Sequence, residues 1–169
     1  MTRTLPSRLV LDTTYLMPAF GVQIGLDSSE KILSMLTLLV RTNEEPLFIS
    51  DLTPLEGFLK AFRLAEKGKN EDGKMAAKAG FQSIIRNSST FSCLPHSDER
   101  ILDEACDIRA THNDPFDCFI FGTARVLNCT LLTEDNRAAQ YLAEDRILSW
   151  KSFKEMVPFK NTDEKTKEN

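Results

Sequence analysis

Short apolar runs alternate along the chain with longer segments in which apolar residues recur at helical spacing. The runs that predict strands lie at residues 8–12, 47–50, 90–95, 129–133 and 147–150. Short apolar runs with polar residues on either side are typical of strands that are buried on both faces. The alternation of such strands with helices predicts an α/β fold, a three-layer α/β/α sandwich with a five-stranded, mainly parallel sheet.

Residues that favour helix starts precede the helical segments. The predicted N-caps are Ser28 or Ser29, Ser97 and Asp114. Thr53-Pro54-Leu55-Glu56 has the pattern of a capping box with proline in the first turn. RAAQYLAE, residues 137–144, predicts a last short helix, and the fifth strand is expected to end at Trp150.

Length and composition indicate one domain. The chain has 169 residues, of which 41% are hydrophobic and 27% charged, which suits one globular domain with a full core. We predict a single domain over residues 1–158 and a flexible, charged tail over residues 159–169, because the end of the chain is too polar to bury surface.

Charge and cysteine content exclude several classes of protein. A formal charge of −4 argues against a globally basic nucleic-acid binder, although acidic proteins can recruit cations to clustered carboxylates. The four cysteines form no C-x-x-C pair and the two histidines have no zinc-finger spacing. With no leader pattern and no apolar run of membrane-spanning length, we expect a cytoplasmic protein with no membrane partner.

Acidic residues fall where predicted strands end or predicted helices begin. Asp12 follows the first strand and Asp135 follows the fourth, whereas Glu56 and Asp117 stand near the starts of helices. In an open parallel sheet, ligands bind in the crevice beyond the carboxyl ends of the strands. Such acids can therefore meet in one site although they are far apart in sequence.

Each acid also has a simpler explanation when it is taken alone. An acid in the first turn of a helix compensates free N–H groups and the helix dipole by about 0.3–1 kcal/mol, which is enough to account for Glu56 or Asp117. Asp12 ends an apolar strand without a basic neighbour in sequence, so it needs a partner from elsewhere. Only the combination of acids indicates a shared site.

Clustered carboxylates imply a cation and a kind of chemistry. They repel one another unless a cation joins them, and oxygen ligands without cysteine or histidine favour Mg²⁺ or Mn²⁺. Such an ion lowers the pKa of a bound water, which then attacks phosphorus, and stabilises the leaving oxygen of a phosphodiester.

Four sequence blocks resemble the PIN domain family, and within it the VapC-like toxins of prokaryotic toxin–antitoxin pairs. The blocks are LVLDTTYL with Asp12, FISDLTPLEGFLKA with Glu56, HNDPFDCFIFGTA with Asp114 and Asp117, and TLLTEDNRA with Thr133 and Asp135. They occur in the family's order and spacing over residues 8–150. DPFD followed by an apolar helix is the most specific block.

The resemblance implies a Mg²⁺- or Mn²⁺-dependent endoribonuclease that hydrolyses RNA phosphodiester bonds. The catalytic, metal-binding acids that it implies are Asp12, Glu56, Asp117 and Asp135. It also implies Thr14 and Thr133 as supporting hydroxyls near the metal, and Asp114 as an auxiliary or capping acid. We therefore predict the toxin of a type II toxin–antitoxin pair, active as a homodimer and silenced by a small antitoxin.

Two alternatives remain open. A PIN-fold nuclease that matures ribosomal or transfer RNA would use the same residues, and a non-catalytic RNA- or protein-binding module could keep the same fold. The helical stretch from Arg63 to Asn87 is expected to serve as dimer surface, antitoxin-binding groove or substrate arm. His112 is left outside the catalytic set, because metal-activated water requires no histidine, and we expect it to contact the backbone.

Overall fold

Five short strands form one all-parallel sheet in a computed structural model that describes residues 5–157. The strands are β1 (Leu9–Leu11), β2 (Leu47–Ser50), β3 (Phe91–Leu94), β4 (Thr130–Leu132) and β5 (Ile147–Leu148). Their order across the sheet is β3-β2-β1-β4-β5, so the chain leaves the central strand β1 first toward one edge and later toward the other. The predicted five-stranded parallel sheet is confirmed.

Helices connect the strands. Within residues 5–157 the α-helices are α1 (Ser29–Asn43), α2 (Leu52–Lys67), α3 (Glu71–Arg86), α4 (Glu99–Arg109), α5 (Pro115–Leu127) and α6 (Trp150–Met156). Segments of 3₁₀ helix lie at Thr13–Phe20, Asn136–Gln140 and Glu144–Arg146. The first of these follows β1 directly, and the second follows β4 after a short connection.

The sheet separates two apolar cores. Side chains alternate between the two faces of an extended strand. In β1, Leu9 and Leu11 pack into a core with α1, α2, α3 and α6, whereas Val10 packs into a second core with α4 and α5. All three residues are buried, as expected for a central parallel strand. The predicted three-layer α/β/α architecture is therefore confirmed.

Two predicted helix starts are wrong. The helix α2 begins at Leu52 with Asp51 as its N-cap, so Thr53 lies inside the helix and forms no capping box. The strand β2 runs almost directly into α2, which leaves no extended residue at Thr53. The N-cap of α4 is Asp98 rather than Ser97, because the Asp98 side chain accepts the hydrogen bond from an N–H group of the first turn.

The end of the domain also differs from the prediction. RAAQYLAE contains most of one 3₁₀ segment and the start of another rather than an α-helix, and its residues Ala138 and Leu142 pack into the second core. The fifth strand stops at Leu148, and Trp150 begins α6 with Ser149 as the N-cap. An apolar residue next to a serine is compatible with either a strand end or a helix start, so the local pattern was ambiguous.

The stretch from Arg63 to Asn87 comprises the end of α2 and all of α3, and two glycines hold these helices close to the first 3₁₀ segment. A Cβ atom added at Gly57 would lie 2.5 Å from the ring of Phe20, and one at Gly80 would overlap the carbonyl oxygen of Ala19. Only glycine permits these approaches without a shift of the backbone or the ring. The helical pair is therefore packed directly against the segment that follows Asp12.

Across residues 5–157, the helices are too short or too polar to cross a lipid bilayer. The predicted tail at residues 159–169, and the predicted domain end at residue 158, lie outside the described residues.

Asp27 ties the beginning of α1 to α6. Its carboxylate accepts hydrogen bonds from the indole N–H of Trp150 (2.8 Å) and from Nζ of Lys154 (2.7 Å), and Nζ of Lys31 lies 3.1 Å from its other oxygen. The hydrogen bonds from Lys154 and Trp150 lower the pKa of Asp27 to about 2. A carboxylate whose pKa falls on folding stabilises the native state while it is ionised.

Asp27→Asn should lower the free energy of unfolding at pH 7 by about 1–2 kcal/mol, since partial exposure of the lysines screens the pairing. The pKa of the folded state lies below that of the unfolded state. The contribution is therefore complete above about pH 5 and is lost as the pH falls toward 2. Urea unfolding of the wild type and the variant at pH 7 and pH 3 measures this contribution of Asp27. The control is Glu155→Gln, because Glu155 is an exposed acid on α6. A loss that does not shrink at pH 3 would contradict the ion-pair explanation.

Candidate metal centre

The predicted acids come from elements that converge at the carboxyl end of β1, where the strand order reverses. Asp12 directly follows β1, and Thr133 follows β4, the neighbour of β1 on one side. Glu56 lies near the start of α2, which follows β2 on the other side, and Asp117 lies near the start of α5, which leads into β4. The crevice beyond such a reversal is the usual ligand site of an open parallel sheet.

Asp12 is almost fully buried, and its two oxygens have separate donors. Oδ2 accepts a 2.5 Å hydrogen bond from the Thr133 hydroxyl, and Oδ1 accepts a 3.2 Å bond from the backbone N–H of Thr14. Burial raises the pKa of Asp12 above its ordinary value, and the negative charges of Asp117 and Glu56 add to the rise, although the two hydrogen bonds oppose it. The acids that act on Asp12 are two of those predicted to share its site.

Glu56 is buried but does not cap α2. The hydroxyl of Thr13 donates to one carboxylate oxygen, and Nζ of Lys60 lies 2.5 Å from the other. Among the described residues, no backbone N–H group of α2 donates to Glu56. The explanation of Glu56 as a capping acid is therefore wrong, because its side chain points away from the helix start and toward the 3₁₀ segment after Asp12.

The two acids of the DPFD sequence, Asp114 and Asp117, have different roles. Asp114 is the N-cap of α5 and accepts a 2.9 Å hydrogen bond from the backbone N–H of Phe116. Asp117 makes its contacts outside the helix, so it is not needed for capping. Asp114 fixes the start of the helix and thereby the direction in which Asp117 points.

Two side chains contact Oδ2 of Asp117. Nε2 of His112 lies 3.0 Å away and the Arg137 guanidinium lies 3.2 Å away. Burial raises the pKa of Asp117, the His112 hydrogen bond opposes the rise, and the charges of Asp114 and Asp135 add to it. His112 is itself buried, and its ring contacts a carboxylate where a contact with the backbone was expected.

Asp135 caps the 3₁₀ segment after β4 and pairs with Arg137. Its carboxylate accepts bonds from the backbone N–H (2.9 Å) and the guanidinium (2.7 Å) of Arg137. Burial alone would raise the pKa of Asp135, but the Arg137 hydrogen bonds outweigh it and lower the pKa below its ordinary value. The N–H of Asp135 donates to the Thr133 hydroxyl (3.0 Å), which in turn donates to Asp12. Thr133 thus links two of the acids.

The acids are close to one another but not all equally so. One ligand atom each of His112, Asp117 and Asp135 lie within 4.8 Å of one another, which is close enough to hold one ion. Thr133 links Asp12 to this group through a hydrogen bond from its hydroxyl. The negative charges of Asp117 and of Glu56 each raise the pKa of Asp12, so both acids are close enough to act on it. Thr14 contributes its backbone N–H, and no hydrogen bond of its hydroxyl is found along residues 5–157.

Four residues at this site lay outside the sequence-based set. They are Thr13, Lys60, His112 and Arg137. Lys60 follows Glu56 by four residues, the spacing of an ion pair on a helix, so the sequence carried a signal for it. Nothing in the sequence distinguished Thr13 from Thr14, because the geometry of the 3₁₀ turn decides which hydroxyl reaches Glu56.

The family model of the PIN domain matches residues 9–143. The chain belongs to the PIN domain family. The predicted membership is thus confirmed, and the match includes each of the predicted site residues. A search of the curated proteins finds no match. PIN domains are generally nucleases, and they usually use divalent metals, which agrees with the acidic group at the carboxyl end of β1.

In this PIN domain, Thr133→Val should lower the free energy of unfolding without metal by about 1–3 kcal/mol, because the buried Asp12 carboxylate loses a donor. Thr123→Val is the matched control. Thr123 is equally buried, and among the described residues its hydroxyl has no hydrogen-bond partner, so the change to valine should be neutral or stabilising. Chemical denaturation measures both. Equal losses for the two variants would contradict the role of the Thr133–Asp12 bond.

Proposed function

We propose that this PIN domain is a Mg²⁺- or Mn²⁺-dependent endoribonuclease that hydrolyses the phosphodiester bonds of RNA. The observation that carries the proposal is the convergence of Asp12, Glu56, Asp117 and Asp135 at one end of the sheet. Burial and neighbouring negative charges raise the pKa of Asp12 and of Asp117, so the fold holds these acids against their own repulsion. A divalent cation removes that repulsion.

The donor atoms fit a hard divalent cation. Carboxylate oxygens dominate the site, and they are the ligands that Mg²⁺ and Mn²⁺ prefer. Along residues 5–157, the hydrogen bonds to Asp117 involve only Oδ2, which leaves Oδ1 for an ion. Both ions accept such oxygen ligands, so we expect either Mg²⁺ or Mn²⁺ to support activity.

The four acids would hold the ion, which when bound supplies an activated water and charge stabilisation for the scissile phosphate. The rest of the site serves to orient these acids. Thr133 and the Thr14 N–H fix Asp12, Thr13 fixes Glu56, and the Asp114 cap fixes the helix start that carries Asp117. Preorganised ligands of this kind reduce the rearrangement needed when substrate arrives.

Asp12→Asn and Asp117→Asn should each reduce Mn²⁺-dependent cleavage of an RNA oligonucleotide by at least about a hundredfold, since each removes a metal-binding charge. Asp135→Asn should act in the same direction. Its matched control is Asp98→Asn, because Asp98 caps α4 and pairs with Arg100 as Asp135 pairs with Arg137, but outside the metal group. Full cleavage by both Asp12→Asn and Asp117→Asn would refute the metal mechanism.

Without metal, Asp117→Asn should leave the melting temperature at pH 7 unchanged or raise it. The pKa of Asp117 is raised by folding, so its ionised form opposes folding above that pKa. Any gain should vanish below about pH 4, where the carboxyl group is protonated in both folded and unfolded states. Calorimetry in the presence of a chelator measures the effect. Marked destabilisation by Asp117→Asn, together with no Mn²⁺-induced stabilisation of the wild type, would support a purely structural acid.

The proposed biological role is that of the toxin in a type II toxin–antitoxin pair, cytoplasmic and inhibited by a small antitoxin. It is supported by the resemblance of the four sequence blocks. The homodimer proposal is supported by exposed apolar side chains on α2 and α3, the helices that contain the stretch from Arg63 to Asn87 for which a dimer surface, an antitoxin-binding groove or a substrate arm was expected. The large exposed apolar side chains on these two helices are Leu55, Leu59, Leu64, Met75 and Ile85.

Expression of the wild type in a bacterial host should arrest growth, and Asp12→Asn should abolish the arrest. Co-expression of a short neighbouring reading frame that encodes a DNA-binding antitoxin should restore growth. If cells that express the active wild type grow normally, and the ends of their ribosomal or transfer RNAs are altered, the RNA-maturation role would be favoured instead.

A further inference from the structure

Two basic side chains lie among the acids of the candidate metal centre. Nζ of Lys60 is 2.5 Å from Glu56, and the Arg137 guanidinium contacts both Asp117 and Asp135. The two basic side chains are about half exposed, at 55% and 54%, whereas the Glu56 side chain is 4% exposed. Each of these two basic side chains therefore extends from the protein surface to a carboxylate of the site.

The Arg137 contacts are largely a local feature of the chain. Arg137 donates to the aspartate that caps its own turn, with the backbone N–H, Nε and Nη2 all directed at Asp135. Arg100 makes the same three contacts with Asp98 at the start of α4, outside the metal group. The arrangement of Arg137 thus recurs where no site is proposed, so it does not by itself indicate a role in the reaction.

The ion pair between Lys60 and Glu56 differs from an ordinary ion pair on a helix surface. Glu56 is buried and has its other oxygen engaged by Thr13. The charges of Asp12 and Asp114, which come from the end of β1 and the start of α5, act on the same ammonium group. Lys60 is therefore the direct counter-ion of Glu56, and acids from two other elements add to the negative charge around it.

We propose that Lys60 is a built-in counter-ion, which holds Glu56 when no metal is bound and binds a backbone phosphate of the RNA when the metal is bound. The inference rests on the proposed function and deepens it. It assigns to Lys60 two successive partners, both of them anionic.

Lys60 must change its partner because its ammonium group and the metal ion compete for the same oxygen of Glu56. An ion that uses the Glu56 oxygen now contacted by Nζ would lie within a few ångströms of a like charge, and such repulsion is considerable even at the dielectric of a protein surface. The ammonium must move, and the exposed, flexible stem of Lys60 allows the movement. A phosphate of the bound RNA is the anion that this displaced charge meets at the rim of the site, and lysine binds phosphate as a point charge.

Isothermal titration calorimetry with Mn²⁺ alone tests the first half of the proposal. Lys60→Met keeps the length of the stem and removes the charge, so it should bind Mn²⁺ about fivefold more tightly than the wild type. Lys74→Met is the matched control, because Lys74 pairs with Glu71 on the exposed surface of α3, and its Mn²⁺ affinity should equal that of the wild type. The metal-free melting temperature of Lys60→Met verifies that the variant is folded, and Lys60→Gln serves as a second charge-removing variant.

Steady-state cleavage at saturating Mn²⁺ tests the second half. Lys60→Met should raise the KM for a short RNA about fivefold or more, whereas Lys60→Arg, which keeps the positive charge, should stay near the wild-type KM. If wild-type protein binds no Mn²⁺, the proposed function itself fails. If the wild type binds Mn²⁺ but Lys60→Met shows unchanged Mn²⁺ affinity or unchanged KM, the proposed function stands and the role of Lys60 is overturned.

Discussion

The site depends on one constraint, which is that an aspartate must be kept at the end of a fully buried central strand. Asp12 emerges from β1 into a region with little water, and its neighbours are other acids. A buried carboxylate without donors would be expensive. The loop after β4 supplies the Thr133 hydroxyl, and the 3₁₀ turn after β1 supplies the Thr14 N–H. The reversal of strand order at β1 brings these donors to one place.

Much of this arrangement could be predicted from the sequence. Apolar strands alternating with amphipathic helices are sufficient to predict a parallel sheet with two covered faces, and the acids then fall at one end of it. The family resemblance implies the same four acids that the positions of the predicted elements indicate. These features are predictable because they depend on the order of elements, which local patterns encode well.

The contacts of individual side chains were less predictable. Glu56 fits a capping box in sequence, but the strand–helix junction begins the helix one residue before Thr53, and the carboxylate turns toward Thr13 instead. Trp150 fits a strand end, but Ser149 captures an N–H group of α6. In both cases the local sequence pattern fits two arrangements, and the tertiary structure determines which of them forms. The same applies to His112, whose ring is fixed between Asp117 and two aromatic rings.

The close contacts at Gly57 and Gly80 have a consequence for how such a chain can diverge. These glycines set the distance between the helical pair and the 3₁₀ segment whose first residue, Thr13, orients Glu56. Substitutions at the outer surface of the pair, or a longer turn between its helices, leave that distance unchanged. Substitutions on the side of α2 and α3 that faces away from the 3₁₀ segment can therefore change the surface of the protein without displacing Thr13 or the Glu56 carboxylate.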